Sequence, residues 1–473
     1  MINIYLDKSK GSDYLYKQIY NHLKQSILEK KLSFGDKLPP KRRLSAQLNI
    51  SVNSVTNAYN QLYAEGYIYS IEKRGYFVED IAFLDNNIKK SNIPKHLKED
   101  LTPKDDWLTL SHIKSNNSKF PFLQWIKYQQ KAIREHGTEL ADISHPQGPY
   151  VVRKKVASMI ALTRGVKCEP EQIVFGSSTQ TLVTQLSIIA MNLSATKVAV
   201  ENPGYPRIFK LLKNLNMNII PLDIDNQGVV IDEVKEADPN FLFITPSHQF
   251  PTGTIMPISR RIQLLNWVTN IDENHYIVED DYDSEFIYNS DNIPSLYSLS
   301  DNEKVIYLGS FSKTLLPSFR ISYMVLPPIL LEKYKHFFSD WTQECNLLQL
   351  YTLYHFIESG EYQKHIKRMS KYYNYKRVRM INALSSFFKE KVFIHDIPAG
   401  LHFLATFHTD KTYKTVKQKA KEEKLEIYTL EHYLISKSKD FEKGKIQLII
   451  GFSSIKEGVI PQTLERLYNV LYK

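Results

Sequence analysis

The segment Tyr307-Leu-Gly-Ser310-Phe-Ser-Lys313 ends on an amine, and Arg320 follows it after a short, mostly apolar stretch. An enclosed lysine gives up its proton readily and then attacks aldehydes, whereas a guanidinium grips phosphate through two parallel N–H donors. Upstream, Glu279-Asp280-Asp-Tyr282 offers a carboxylate and a phenol, and Glu201-Asn-Pro-Gly-Tyr205-Pro-Arg207 offers an aromatic ring beside a second guanidinium. The stretch Val174-Phe-Gly-Ser-Ser178-Thr179-Gln180 leaves an apolar run and enters a helical pattern. Backbone amides at such a helix start can cradle an anion. Singly, each group has an ordinary explanation: a solvated lysine, a carboxylate in an acidic turn, a tyrosine packed on a core. Jointly they supply what pyridoxal phosphate needs: an aldehyde-capturing amine, a carboxylate for the pyridinium nitrogen, a ring to stack on and donors for the phosphate.

Those residues need strand ends to hold them. Apolar runs at 172–175, 197–200, 241–245, 276–278 and 305–308 alternate with helical patterns, which predicts an α/β domain around a largely parallel sheet. Ligands on such sheets collect where strands hand over to loops, and the candidates fall there.

The order of these motifs, with Thr245-Pro-Ser-His-Gln-Phe250-Pro-Thr-Gly253 among them, resembles that of the fold type I aminotransferases. The resemblance implies that Lys313 forms the Schiff base with pyridoxal 5'-phosphate, that Asp280 meets the pyridine nitrogen and that Tyr282 meets the phenolic oxygen. It further implies that Tyr205 stacks on the ring and that Ser178, Thr179, Gln180, Ser310 and Arg320 surround the phosphate, leaving Arg207 for an effector. Two departures stand out. Phe250 occupies the position where enzymes of this fold place an asparagine on the ring oxygen, and no arginine occurs between Met380 and Glu465, where they clamp a substrate carboxylate.

The first eighty residues follow another logic. Leu15, Ile19, Leu23 and Ile27 recur at helical spacing, Pro39-Pro40 opens a second helix over Lys41–Leu48, and Ser51 caps a third whose core face is Val55, Ala58, Tyr59 and Leu62. The alternation Tyr67–Ile71, a turn at Glu72–Gly75 and Tyr76–Val78 predict a two-stranded wing. A small helical dimerisation module with a hairpin would share this pattern. The segments Gly35-Asp-Lys-Leu-Pro-Pro-Lys-Arg42-Arg-Leu-Ser, Ser51-Val-Asn53-Ser54-Val and Arg74-Gly75-Tyr-Phe-Val78 resemble the GntR family. That likeness implies a winged helix-turn-helix contacting double-stranded operator DNA through Arg42, Ser51, Asn53, Ser54, Asn57 and the wing at Gly75. Val52 stands where many members carry an arginine.

A GntR-type head with His248-Gln-Phe-Pro-Thr-Gly and Glu279-Asp-Asp-Tyr resembles the MocR subfamily of transcriptional regulators. The implied organisation is a DNA-binding domain at 1–80, a polar tether at 81–110 and an aminotransferase class I-like effector domain at 111–473, its large part about 140–340 and its small part about 341–473. The implied assembly is a head-to-tail, domain-crossed homodimer. The implied function is transcriptional control by pyridoxal phosphate itself or by an amino compound; the alternative is a working aminotransferase behind an incidental head.

Composition agrees with a nucleic-acid partner without requiring one. The formal net charge is +10, and residues 1–80 hold 12 Lys and Arg against 8 Asp and Glu. Cys168 and Cys345 are the only cysteines and lack metal or redox spacing, and no run is long and apolar enough for a signal or a membrane span. The expectation is a cytoplasmic protein with no structural metal.

Overall fold

The computed structural model of the protein describes residues 4–7, 13–80, 93–99, 106–113, 119–270, 274–288, 294–301, 303–436 and 444–473. They divide into two units, 1–103 and 104–473.

In the first unit, helix α1 (Leu15–Leu28) buries Ile19, Leu23 and Ile27 as one stripe. Helix α2 (Lys41–Leu48) ends where Asn49 turns left-handed at φ 51°. Ser51 Oγ then accepts the Ser54 amide at 3.2 Å and starts α3 (Val52–Ala64), so the cap is the one its sequence predicts. Strands β1 (Ile68–Ile71) and β2 (Gly75–Val78) pair antiparallel, with Ile71 opposite Gly75 at the wing turn. Leu44, Val55, Ala58, Tyr59 and Leu62 close the core without solvent contact. The fold is a winged helix-turn-helix.

In the second unit, strand β3 (Leu108–Thr109) and helices α4 (Phe122–His136) and α5 (Tyr150–Arg164) precede β4 (Ile173–Gly176), α6 (Thr179–Asn192), β5 (Lys197–Asn202) and α7 (Pro206–Asn214). Then follow β6 (Asn218–Asp225), β7 (Gly228–Val229), α8 (Ile231–Ala237), β8 (Phe241–Ile244), α9 (Ile258–Thr269), β9 (Tyr276–Asp281), β10 (Val305–Ser310) and β11 (Ser322–Val325). The strands from β4 to β11 make one sheet in the order β4-β11-β10-β9-β8-β5-β6-β7, parallel from β10 to β6 and antiparallel at β11 and β7. Neighbouring residues of a strand enter different cores: Ile277 packs with Trp125, Val152 and Leu264, while Val278 packs with Leu182, Ile208 and Leu330. Helices thus cover both faces, which is why these strands read as unbroken apolar runs.

Helices α10 (Pro328–Phe338), α11 (Leu347–Glu358) and the long α12 (Glu361–Phe388) lead to a smaller layer of β12 (Val392–His395), β13 (His402–His408), α13 (Tyr413–Glu422), β14 (Leu425–Glu426), β15 (Tyr428–Thr429), β16 (Lys445–Gly451) and α14 (Ile460–Tyr472). Its antiparallel sheet runs β12-β13-β16-β15. Phe403, Phe407, Leu448, Leu464 and Leu467 form its separate core.

One boundary moves. The tether expected over 81–110 ends sooner, because Leu108 and Thr109 pair in parallel with Leu425 and Glu426. A two-residue strand whose partner lies far downstream leaves no periodicity to read. Most of the remaining tether, 81–92 and 100–105, lies outside the described residues. Among the described residues, no helix is long and apolar enough to cross a membrane.

Candidate functional site

A cavity of about 330 Å³ opens where β9 and β10 end and the smaller layer meets the large sheet. Ser178, Thr179, Gln180, Tyr205, Arg207, Asp280, Tyr282, Ser310, Lys313 and Arg320 all line it, so the structure brings together residues spread over more than a hundred positions of sequence. Lys313 sits three residues past the end of β10, and its Nζ donates to the His112 carbonyl at 3.0 Å. Burial lowers its pKa; Asp283 opposes that shift and Arg207 adds to it. The amine is therefore easier to deprotonate than one in water.

Strand alternation explains why Asp280, alone among three consecutive acids, serves the cavity. Glu279 and Asp281 point to the other face. There Glu279 accepts the amides of Leu296 and Tyr297 at 2.9 and 2.8 Å, and Asp281 accepts from Arg164 Nε at 2.8 Å and Tyr307 Oη at 2.6 Å. Asp280 turns into the cavity, where its Oδ1 is buried with no hydrogen-bond partner. Burial pushes its carboxyl up to about 7, helped by Asp281, Asp283 and Glu201. A buried acid with an orphaned oxygen calls for a cationic N–H donor, and a pyridinium nitrogen is one.

The opposite end of the cavity is built for an anion. Ser178 caps α6 by accepting the Thr181 amide at 3.1 Å, which leaves the first amides of that helix directed past its start. A side chain at Gly176 would stand 2.6 Å from Leu182 Cδ2, so a larger residue at the handover from β4 to α6 would have to push the leucine aside. Ser322 and Ser312 hold the Ser310 hydroxyl through bonds of 3.2 and 2.9 Å, and Arg320 completes this wall. The residues present fit pyridoxal phosphate at the amine, the ring nitrogen and the phosphate.

Other residues line the same cavity without having been singled out from the sequence. His112, His402, Tyr428, His432 and Tyr433 come from segments far from any motif, so no local pattern announces them. Burial drives His112 down to about 3, with Lys313 and His432 adding to the shift, and burial also puts His402 well below its ordinary value. Phe250 takes on an added role: its ring lies 5.2–5.9 Å from those of Tyr205, His112, His402, Tyr433 and Tyr282, making it the centre of an aromatic wall.

In the first unit, Arg42, Ser51, Asn53, Asn57 and Gly75 are exposed, whereas Ser54 is half-buried and engaged with the Ser51 cap. Val52 is 43% exposed at the start of α3. These residues belong to α2, α3 and the wing, the elements by which this fold meets DNA.

Residues 15–78 match the family of bacterial regulatory proteins, gntR family, and residues 107–442 match aminotransferase class I and II. The chain is 36% identical to the HTH-type transcriptional regulator YdeL of Bacillus subtilis (strain 168) over 456 residues, 96% of each protein. It is 28% identical to the probable rhizopine catabolism regulatory protein MocR of Rhizobium meliloti over 407 residues, 83% of this chain and 82% of that one. In fold it is similar to LysN, the α-aminoadipate aminotransferase of Thermus thermophilus, with a TM-score of 0.65 and 21% identity over 78% of this chain and 92% of that one. A gntR-type winged helix joined to an aminotransferase-like unit, shared end to end with such relatives, places the chain in the MocR subfamily of GntR-type transcriptional regulators.

Proposed function

We propose that this regulator carries pyridoxal phosphate on Lys313 and that its hold on operator DNA changes with the occupancy of that site. The observation that carries this reading is a single cavity walled by an amine, an unpartnered carboxyl, a phenol, an aromatic ring, a capped helix start and a guanidinium. When bound, the cofactor supplies an aldehyde for amines and a ring that draws electrons from whatever the aldehyde holds. Lys313 contributes the enclosed amine. Asp280 takes the ring N–H, and its ionised form, disfavoured in the open pocket, is stabilised there by the positive charge. Tyr205 covers the ring, Tyr282 turns to its phenolic oxygen, and Ser178, Thr179, Gln180, Ser310 and Arg320 hold the phosphate.

Arg207 is the remaining guanidinium among the lining residues. Aminotransferases clamp a substrate carboxylate with an arginine from the stretch that here, between Met380 and Glu465, holds none, which leaves Arg207 as the guanidinium offered to an effector. Pyridoxal phosphate itself is therefore the favoured signal, ahead of an amino compound. The same shortage, together with Phe250, argues against rapid turnover as an aminotransferase.

On the DNA side, Asn53, Ser54 and Asn57 on α3 face base edges, while Arg42, Ser51 and the wing at Gly75 meet phosphates. A homodimer fits the exposed apolar stripe Leu123, Ile126 and Ile133 on α4, which are 83%, 46% and 50% exposed. Incubation of purified protein with pyridoxal phosphate, borohydride reduction and mass analysis test the cofactor reading. Added mass on Lys313 is the expected result; a colourless protein with no added mass overturns it.

A further inference from the structure

We infer that His248 and Asp283 form a buried positioning pair that fixes the hydroxyl proton of Tyr282 as a donor into the pocket. The inference rests on the cofactor reading above and concerns how this chain makes up for the polar group that Phe250 does not supply. His248 and Asp283 are 3% and 1% exposed. His248 Nδ1 lies 3.2 and 3.1 Å from the two carboxylate oxygens of Asp283, and 3.0 Å from Tyr282 Oη. A carboxylate only accepts, and an imidazole nitrogen carries at most one proton. Nδ1, beside two acceptor oxygens, is therefore the protonated nitrogen and has no lone pair left for the phenol. The Tyr282 oxygen meets it as a further acceptor, and the phenol's own proton turns away from His248 toward the cavity that Tyr282 shares with Lys313 and Asp280.

The surroundings hold this arrangement still. An added Cβ on Gly400 would stand 2.6 Å from Asp283 Oδ2 and overlap the His248 ring, so a glycine at φ +66° seals the pair. Gly253 backs Nε2, at 3.3 Å from an added Cβ. The His402 ring lies tilted beside the His248 ring, centroids 5.0 Å apart, and itself faces the Pro251 carbonyl at 3.2 Å. The charged groups that act on Tyr282 are Asp283, Asp280, Glu201 and Asp281. Burial, with all four acids acting the same way, pushes its ionisation well above the ordinary value, so the proton is present to be donated. An aminotransferase-type asparagine would give the ring oxygen a second donor; here the one donor is held in place.

The test uses full-length protein reconstituted with pyridoxal phosphate and reads the pH midpoint of its visible band. A donor to the phenolic oxygen stabilises that oxygen's anion and lowers the midpoint. Tyr282→Phe should raise it by about one unit or more. His248→Leu should raise it comparably, because the phenol is then free to turn, and the double variant should go no further than Tyr282→Phe alone. His248→Asn, whose amide nitrogen can stand near the place of Nδ1, should restore the midpoint, and it serves if the leucine variant does not fold. A His248→Leu midpoint equal to that of the unsubstituted protein, or a shift that adds in full to that of Tyr282→Phe, overturns the inference. So does a band that changes on chelation, which would put a metal among His248, Asp283 and His402. A protein that takes up no colour at all removes the cofactor reading instead.

Discussion

Asp280→Asn separates what this residue costs from what it contributes. In the open pocket its carboxyl is raised from 3.8 to about 7, a change of roughly 3 units. At about 1.4 kcal/mol per unit this is about 4 kcal/mol of preference for the neutral acid, and relaxation with water entry brings it nearer 2 kcal/mol. The folded value lies above the unfolded one. Its contribution to stability is therefore full below about pH 4 and is lost as pH rises through 7. Asparagine is neutral throughout. Cofactor-free Asp280→Asn should match the unsubstituted protein near pH 4 and exceed it by about 2 kcal/mol at pH 8, read from denaturant unfolding at the two pH values. Glu201 and Glu285, raised by burial to about 7 and about 8, act in the same direction in both proteins and cancel in the difference. The same substitution should weaken cofactor uptake by about ten-fold or more, because a charge-assisted hydrogen bond is lost. A variant that is less stable at pH 8, or equally stable at both pH values, refutes the assignment of Asp280 as a carboxyl held ready for a cation.

Gly400→Ala forces a methyl group onto His248 and Asp283 at a left-handed residue, and should destabilise the second unit by about 3 kcal/mol or more, visible as a lowered unfolding midpoint. Arg320→Ala should cost cofactor affinity about ten-fold or more, while Arg207→Ala stays within a factor of about two; equal losses in equilibrium titration would overturn the division of labour between the two guanidiniums. Arg42→Ala should weaken DNA binding on any sequence and reduce the slope of log affinity against log salt by about 0.9, and an unchanged slope would remove it from the phosphate contacts.

Much of this was legible in the chain because the relevant signals are local. Helix periodicity and the Ser51 cap announced α1 to α3, with α2 matched to the residue, and five apolar runs became β4, β5, β8, β9 and β10. Strands β6 and β11 went unread: the first carries Pro221 and is largely half-exposed, and the second is four residues long between two antiparallel neighbours. The pocket residues named from motifs all line one cavity, since each motif sits at a strand end. What the sequence concealed was the other wall. His112, His402 and Tyr428 reach the pocket through tertiary folding alone, and the carbonyl that holds Lys313 belongs to His112, just past the stretch 81–110 read as a tether. Phe250 was legible as a missing polar group, but not as the aromatic centre it is, nor was His248 as the partner of Tyr282.

The affinity of the protein for the DNA upstream of its own gene, measured by fluorescence anisotropy with and without pyridoxal phosphate, tests the coupling of the two units most directly when Lys313→Ala is titrated beside the unsubstituted chain. The account predicts that the cofactor shifts the affinity of the unsubstituted protein by about five-fold or more and leaves that of Lys313→Ala where it was. Equal affinities with and without the cofactor, or an equal shift in both proteins, would contradict it.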